Sequence, residues 1–154
     1  VMKYNPKGAG EIELATIILD LNGTLAVNGH VPDGVREKII KLKEMGYKIL
    51  LFSGDQRGNA QTLADDLGIE LQRATTTEEK EELARKLNKE TTVSIGNARI
   101  DIGTFKHSKI RIGTLQAEGI HVGILPHLDV LVPSINDALD LLINKDSFEA
   151  TMRL

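Results

Sequence analysis

The sequence predicts an α/β fold with a mostly parallel sheet, and two features carry that prediction. Short apolar, β-rich runs alternate with segments of helical periodicity, the pattern that places crossover helices between parallel strands. The 154 residues, 41% of them hydrophobic, suit one packed domain over 1–154. No internal repeat, low-complexity segment or linker interrupts the alternation.

The elements follow in order. "EIELATIILD" (11–20) holds the first long β-rich run. "PDGVREKIIKLKEMG" (32–46) reads as a helix, with Val35, Ile39, Leu42 and Met45 at helical spacing. Asp33 is its expected N-cap and Gly46 the residue just past its end. "YKILLFSG" (47–54) is a second buried strand, "NAQTLADDLG" (59–68) a helix stopped by Gly68, and "IELQRA" (69–74) a short strand. "TTTEEKEELARKLN" (75–88) opens with Thr76 and Glu79 at capping-box spacing. "TTVSIG" (91–96), "SKIRIGTL" (108–115) and "LDVLV" (128–132) are strands, and "SINDALDLLIN" (134–144) is a helix. Residues 117–127 fit neither period. The apolar stretch 120–131 reads as a buried element or, alternatively, as a contact between copies of the chain.

Composition excludes several functions. A net charge of −3 gives no electrostatic basis for binding nucleic acid or an anionic membrane. Aromatic residues make up only 3%, too few for a base-stacking platform. There is no cysteine, hence no disulfide and no thiolate metal site. That is compatible with a reducing cytoplasm, where we expect the chain. No apolar run approaches the ~20 residues that span a bilayer, and no signal peptide is visible. Val1 ahead of Met2 reads as left over from cloning, and residues 1–10 as an N-terminal extension. His30, His107, His121 and His127 share no metal-ligand spacing and read as surface or loop residues.

The informative polar residues fall at strand ends. Asp20 ends the first strand, Ser53 the second, and Asn97 and Asp101 follow "TTVSIG". Ligands of open parallel sheets bind outside the carboxyl ends of the strands, so these residues are expected to share one crevice. A carboxylate so placed can attack phosphorus or bind Mg2+ through oxygen. The Asn22-Gly23-Thr24 turn can face a phosphate with backbone N–H groups, and Ser53-Gly54 adds a hydroxyl beside further N–H groups. Lys80 stands in the first turn of its helix, against the dipole, which hints at a task other than solvation. Taken alone, each has a plainer reading: Asp20 as a turn residue, Ser53-Gly54-Asp55 as a loop, Lys80 as a surface lysine. Their order and their shared place at strand ends favour the functional one.

These motifs resemble those of the haloacid dehalogenase-like superfamily, and most closely its soluble P-type ATPase-like members. "LDLNGTLA" parallels Asp-Lys-Thr-Gly-Thr-Leu; "LLFSGDQRGNAQTLADDLGI" parallels the Thr-Gly-Asp stretch and its helix; "TTTEEKEELARKLN" parallels the lysine segment; "VSIGNARID" parallels Gly-Asp-Gly and the downstream Asp. The resemblance implies a three-layer α/β/α Rossmannoid fold and a Mg2+-dependent phosphohydrolase. Asp20 would be the phosphorylated nucleophile and a metal ligand, with the Asn22 carbonyl a second ligand. Ser53 and Lys80 would hold the phosphoryl oxygens, alongside Gly23 and Gly54. Asn97 would take the remaining metal-ligand position. Asp101 would stand at the metal, orienting Lys80 or a metal-bound water. Asp55 would lie near the site or cap its loop.

Departures from that pattern qualify the chemistry. Asn22 stands where phosphatases of the superfamily have a second Asp that protonates the leaving oxygen and activates water. Asn97 replaces another Asp, which lowers the negative charge at the metal position. Esters with good leaving groups are therefore expected to react best, and the acyl phosphate to hydrolyse slowly. The intervals Asp20–Ser53 and Ser53–Lys80 have no room for a cap or a nucleotide-binding domain. The site is expected to be open, to suit a phosphorylated small molecule or a protein-borne phosphate, and not to take ATP specifically. The alternative is a regulatory domain that binds phosphate, metal or a protein without turnover.

Overall fold

The computed structural model describes residues 1–54 and 59–154. Its centre is a six-stranded parallel sheet: β3 (Thr16–Asp20), β4 (Lys48–Ser53), β5 (Glu70–Arg73), β6 (Thr92–Gly96), β7 (Ile110–Thr114) and β8 (Val130–Val132), in the order β5-β4-β3-β6-β7-β8. The order reverses between β4 and β6, on either side of β3. Asp20 thus ends the strand at the switch point, where an open sheet leaves a crevice.

Strand alternation sorts the core into two layers. Ile17, Leu19, Ile49, Leu51, Val93 and Ile95 face α1 (Val35–Glu44), α2 (Asn59–Leu67), α5 (Ile135–Ile143) and α6 (Lys145–Met152). Ile18, Leu50 and Phe52 face the other side, against Ala84 of α3 (Thr77–Arg85). Asp20 shares the face of Ile18, so its side chain emerges on the α3 side. A short helix α4 (Ile102–Phe105), preceded by a 3-10 turn at Arg99–Asp101, packs on α3. Among the described residues no further domain intervenes between β3 and β4 or between β4 and α3.

Several details differ from expectation. Helix α1 starts one residue later, with Gly34 as N-cap at φ 90°, a left-handed conformation that Asp33 would adopt only at a cost. The Asp33 carbonyl accepts the Asn136 amide at 3.0 Å instead. Of residues 1–10, Tyr4 and Pro6 are buried, and β1 (Met2–Tyr4) pairs antiparallel with β2 (Ile12–Leu14). The fully buried Tyr4 donates its hydroxyl to the Leu142 carbonyl at 2.7 Å. The segment without a clear period contains a 3-10 helix, Val122–His127, with only Ile124 of it buried. No helix among the described residues is long and apolar enough to cross a membrane.

Candidate active site

The site is assembled at the carboxyl edge of the sheet. Thr76 caps α3, its hydroxyl accepting the Glu79 N–H at 3.1 Å, while the Glu79 carboxylate accepts the Thr75 N–H at 2.9 Å. This fixes the first turn of α3 and directs Lys80 inward, where it is 2% exposed. The Lys80 ammonium donates to Asp20 Oδ1 at 2.8 Å and to Asp101 Oδ1 at 2.9 Å. Asp101 Oδ2 in turn accepts the backbone N–H groups of Asn97 and Ala98 at 3.0 and 3.1 Å. That arrangement needs a glycine at 96, because a Cβ there would lie 2.5 Å from Asp101 Oδ2.

Asp20, Asn22, Ser53, Gly54, Thr75, Lys80 and Ala98 line one notch of about 380 Å3. Asp101 sits one hydrogen bond behind it. Gly23 and Asn97 do not line it. The Asn97 amide is turned away, donating to the Gly119 carbonyl at 2.9 Å and accepting the Thr24 hydroxyl at 3.4 Å. Asp55 lies outside the described residues. His107 bonds Glu81 of α3 at 2.9 Å, beyond the notch. Sequence reasoning used Thr24 only as part of a turn and passed over Gly96 and the loop supports Thr114, Gln116 and Gly119. Only Gly96, a glycine closing a buried strand, carried a local signal.

Burial, and then the Asp101 carboxylate nearby, push the Asp20 carboxyl up to about 7 against the downward pull of Lys80. Burial alone would lower the Lys80 ammonium, but Asp20 and Asp101 outweigh it and hold that group above its ordinary value. The acid, in short, is held at a cost to folding. Asp20→Asn is therefore expected to raise the melting temperature of the metal-free protein at neutral pH. Unfolded Asp20 loses its proton near 3.8 and folded Asp20 near 7. Between those values folding takes up a proton, so the wild-type contribution falls as pH rises. The advantage of the variant should be absent below pH ~4, grow to pH ~7 and then level off. Thermal melts with a chelator across that range check it; a variant uniformly less stable than the parent contradicts it.

Mg2+ takes hard oxygen ligands, commonly one or two carboxylates together with substrate phosphate oxygens and water. The notch offers Asp20 and Asn22 as oxygen donors. Both Asp101 oxygens already accept hydrogen bonds. Among the described residues no group of three or more acidic or histidine side chains gathers as a metal cluster. This donor set fits a cation shared with a phosphoryl group and does not fit an all-protein cage.

A family model for the haloacid dehalogenase-like hydrolases matches residues 4–109. The chain belongs to that family. This haloacid dehalogenase-like chain is 28% identical over 138 residues to a soluble P-type ATPase-like phosphatase of Methanocaldococcus jannaschii, a match covering 86% of the chain and 47% of that relative. It spans, in other words, about half the length of that protein. Its fold is shared with the cobalt-bound deoxy-D-mannose-octulosonate 8-phosphate phosphatase of Haemophilus influenzae at a TM-score of 0.71 and 15% identity, over 88% of this chain and 91% of that one. A phosphoserine phosphatase solved as a phospho-aspartyl intermediate analogue superposes with a TM-score of 0.72 at 15% identity, over 86% of this chain and 100% of that one.

Proposed function

We propose that the chain is a capless, Mg2+-dependent phosphohydrolase that works through Asp20. The observation that carries this reading is the Lys80 ammonium bonded at once to Asp20 and Asp101 on the floor of an open notch at the sheet switch point. The likeness to phosphatases of the same family supports it.

Asp20 would attack the phosphorus of a phosphate monoester. A bond forms from a carboxylate oxygen to phosphorus as the bond to the leaving oxygen breaks, giving an aspartyl phosphate. Lys80 would balance the charge on the phosphoryl oxygens. The Ser53 hydroxyl and the backbone N–H groups of Asn22 and Gly54, which line the notch, would orient them. Asp101 would hold Lys80 in register. Asp20 and the Asn22 carbonyl would hold Mg2+, which when bound supplies further neutralisation of the phosphoryl group. Asn22 cannot give a proton to the leaving oxygen or take one from water. The leaving group must therefore depart unaided, and the acyl phosphate must await an unassisted water. With no cap over the notch among the described residues, a bulky phosphate or one carried on a protein would be admitted.

Hydrolysis of an aryl phosphate with Mg2+ is the test. Asp20→Asn is expected to reduce the rate to background, because it removes the attacking oxygen. A variant as active as the parent would eliminate this reading. Absence of turnover and of a phosphoenzyme in the parent, on a broad substrate panel, would favour instead a regulatory domain that binds phosphate without chemistry. Asn22 and the inward-tied amide of Asn97 are the features that support this second reading.

A further inference from the structure

The loop that follows the nucleophile folds back on its own strand. The N–H of Leu25 donates to the Asp20 carbonyl at 3.2 Å, and those of Thr24 and Ala26 donate to the Leu21 carbonyl at 3.3 and 2.9 Å. Three side chains from elsewhere then hold it. Thr114 donates its hydroxyl to the Gly23 carbonyl at 3.1 Å, and Gln116 donates its amide to the Thr24 carbonyl at 3.0 Å. The third is Asn97, whose amide bonds both Thr24 and the Gly119 carbonyl. Its own carbonyl accepts the His121 N–H at 3.0 Å.

The fit around Asn97 is close. A Cβ on Gly23 would lie 2.2 Å from Asn97 Nδ2, and Gly23 has φ +78°. The amide nitrogen therefore rests directly on the glycine backbone. Its oxygen is directed to the Thr24 hydroxyl, and the side chain is 7% exposed. The carboxamide donates to Gly119 through its nitrogen and accepts from Thr24 through its oxygen at once. A carboxylate would face the Gly119 carbonyl with no proton to offer. It would also be a third acid beside Asp20 and Asp101, which share the single ammonium of Lys80.

We infer that Asn97 is a positioning residue, an amide clamp that ties the loop after the nucleophile to the loop at Gly119, and that it does not ligate metal. Its work is done through the Gly23–Thr24 backbone, which lies behind the notch and follows directly on Asn22, the loop residue that lines it. The substitution that would seem to restore a metal ligand, Asn97→Asp, should instead undo the clamp. The part of this inference that concerns rate rests on the proposed hydrolysis; the clamp itself does not.

The experiment is hydrogen exchange and thermal melting on the metal-free protein, followed by Mg2+ titration, for Asn97→Asp and Asn97→Ser. Loss of the clamp is expected to speed exchange of the Thr24, Ala26 and His121 amides together, by about tenfold, the factor that one lost hydrogen bond gives a local opening. Melting temperature should fall in both variants. In Asn97→Asp the loss should shrink as pH falls from 7 toward ~4, as a protonated carboxyl regains a donor for Gly119, and level off below that. Mg2+ affinity should not rise, and any hydrolysis should lose kcat with little change in KM. Asn97→Ser, which adds no charge, keeps the test open should Asn97→Asp fail to fold. Exchange unchanged at both loops in Asn97→Ser, or Mg2+ bound several-fold more tightly by a fully stable Asn97→Asp, would overturn the inference. The exchange and melting outcomes stand whether or not the chain proves to hydrolyse phosphate.

Discussion

Asn22→Asp is expected to raise the rate of phosphate-ester hydrolysis by about 10²–10⁴-fold, the usual worth of general acid–base catalysis. Asn22 lines the notch beside Asp20, two positions along the chain, and its amide cannot move a proton. A carboxyl there would stand near Asp20 and Asp101, with one ammonium among three acids. The like charge of those acids would hold its proton toward neutral pH, which is what a donor to a leaving oxygen requires. The gain should depend on the leaving group. Alkyl phosphates, whose alkoxides leave poorly without a proton, should gain most; aryl phosphates, which leave readily, should gain least. The lifetime of the aspartyl phosphate should shorten in parallel, because the ionised carboxylate can then activate water. Steady-state rates on a graded series of esters, with acid-quenched phosphoenzyme followed over time, give both readings. An alkyl ester turned over no faster by the variant would mean that the site lacks more than a proton carrier, and the regulatory reading would gain.

How far the sequence led can be judged from particular residues. The strands were legible because each buried run is long relative to its flanks: "KILLFS" is bounded by a turn and a glycine, and a central parallel strand buries both of its faces. Once the sheet was parallel, its topology alone placed Asp20, Ser53 and Asn97 at one edge. Lys80 betrayed itself by its place against the helix dipole. The 3-residue β1 was not legible, being too short to show any period. Helix α6 was hidden by Asn144, which ends α5 and caps α6 in the same position and reads only as a stop. Least visible was the set of supports around the nucleophile loop. Thr24, Asn97 and the trio Thr114, Gln116 and Gly119 are common polar or small residues from three separate stretches of chain. Their relation is one of orientation and hydrogen-bond direction, which residue type and spacing do not encode.

Lys80→Met should be the most damaging single change to stability. Lys80 is buried and donates to two carboxylates, Asp101 buried and Asp20 largely so. Methionine keeps the length and the apolar stem and removes the charge. Removing one partner of a buried ionic cluster typically costs about 3–5 kcal/mol, because the remaining charges are left uncompensated in a poorly polarisable setting. At ~2–4 °C per kcal/mol for a domain of this size, the melting temperature should fall by roughly 10 °C or more. The pH dependence identifies the cause. Without the ammonium, the burial and the Asp101 charge that raise the folded Asp20 carboxyl are no longer opposed, and it should hold its proton to higher pH than in the parent. Folding then takes up protons, so the variant should regain stability on acidification from pH 7 toward pH 4 more steeply than the parent. A packing defect would show no such recovery. Asp20→Asn placed on Lys80→Met should restore much of the loss at pH 7, since it removes one of the two stranded charges, and this coupling is what a double-mutant cycle isolates. If the two changes instead add, the ammonium does not hold these acids together, and the notch has lost the contact from which its chemistry was argued.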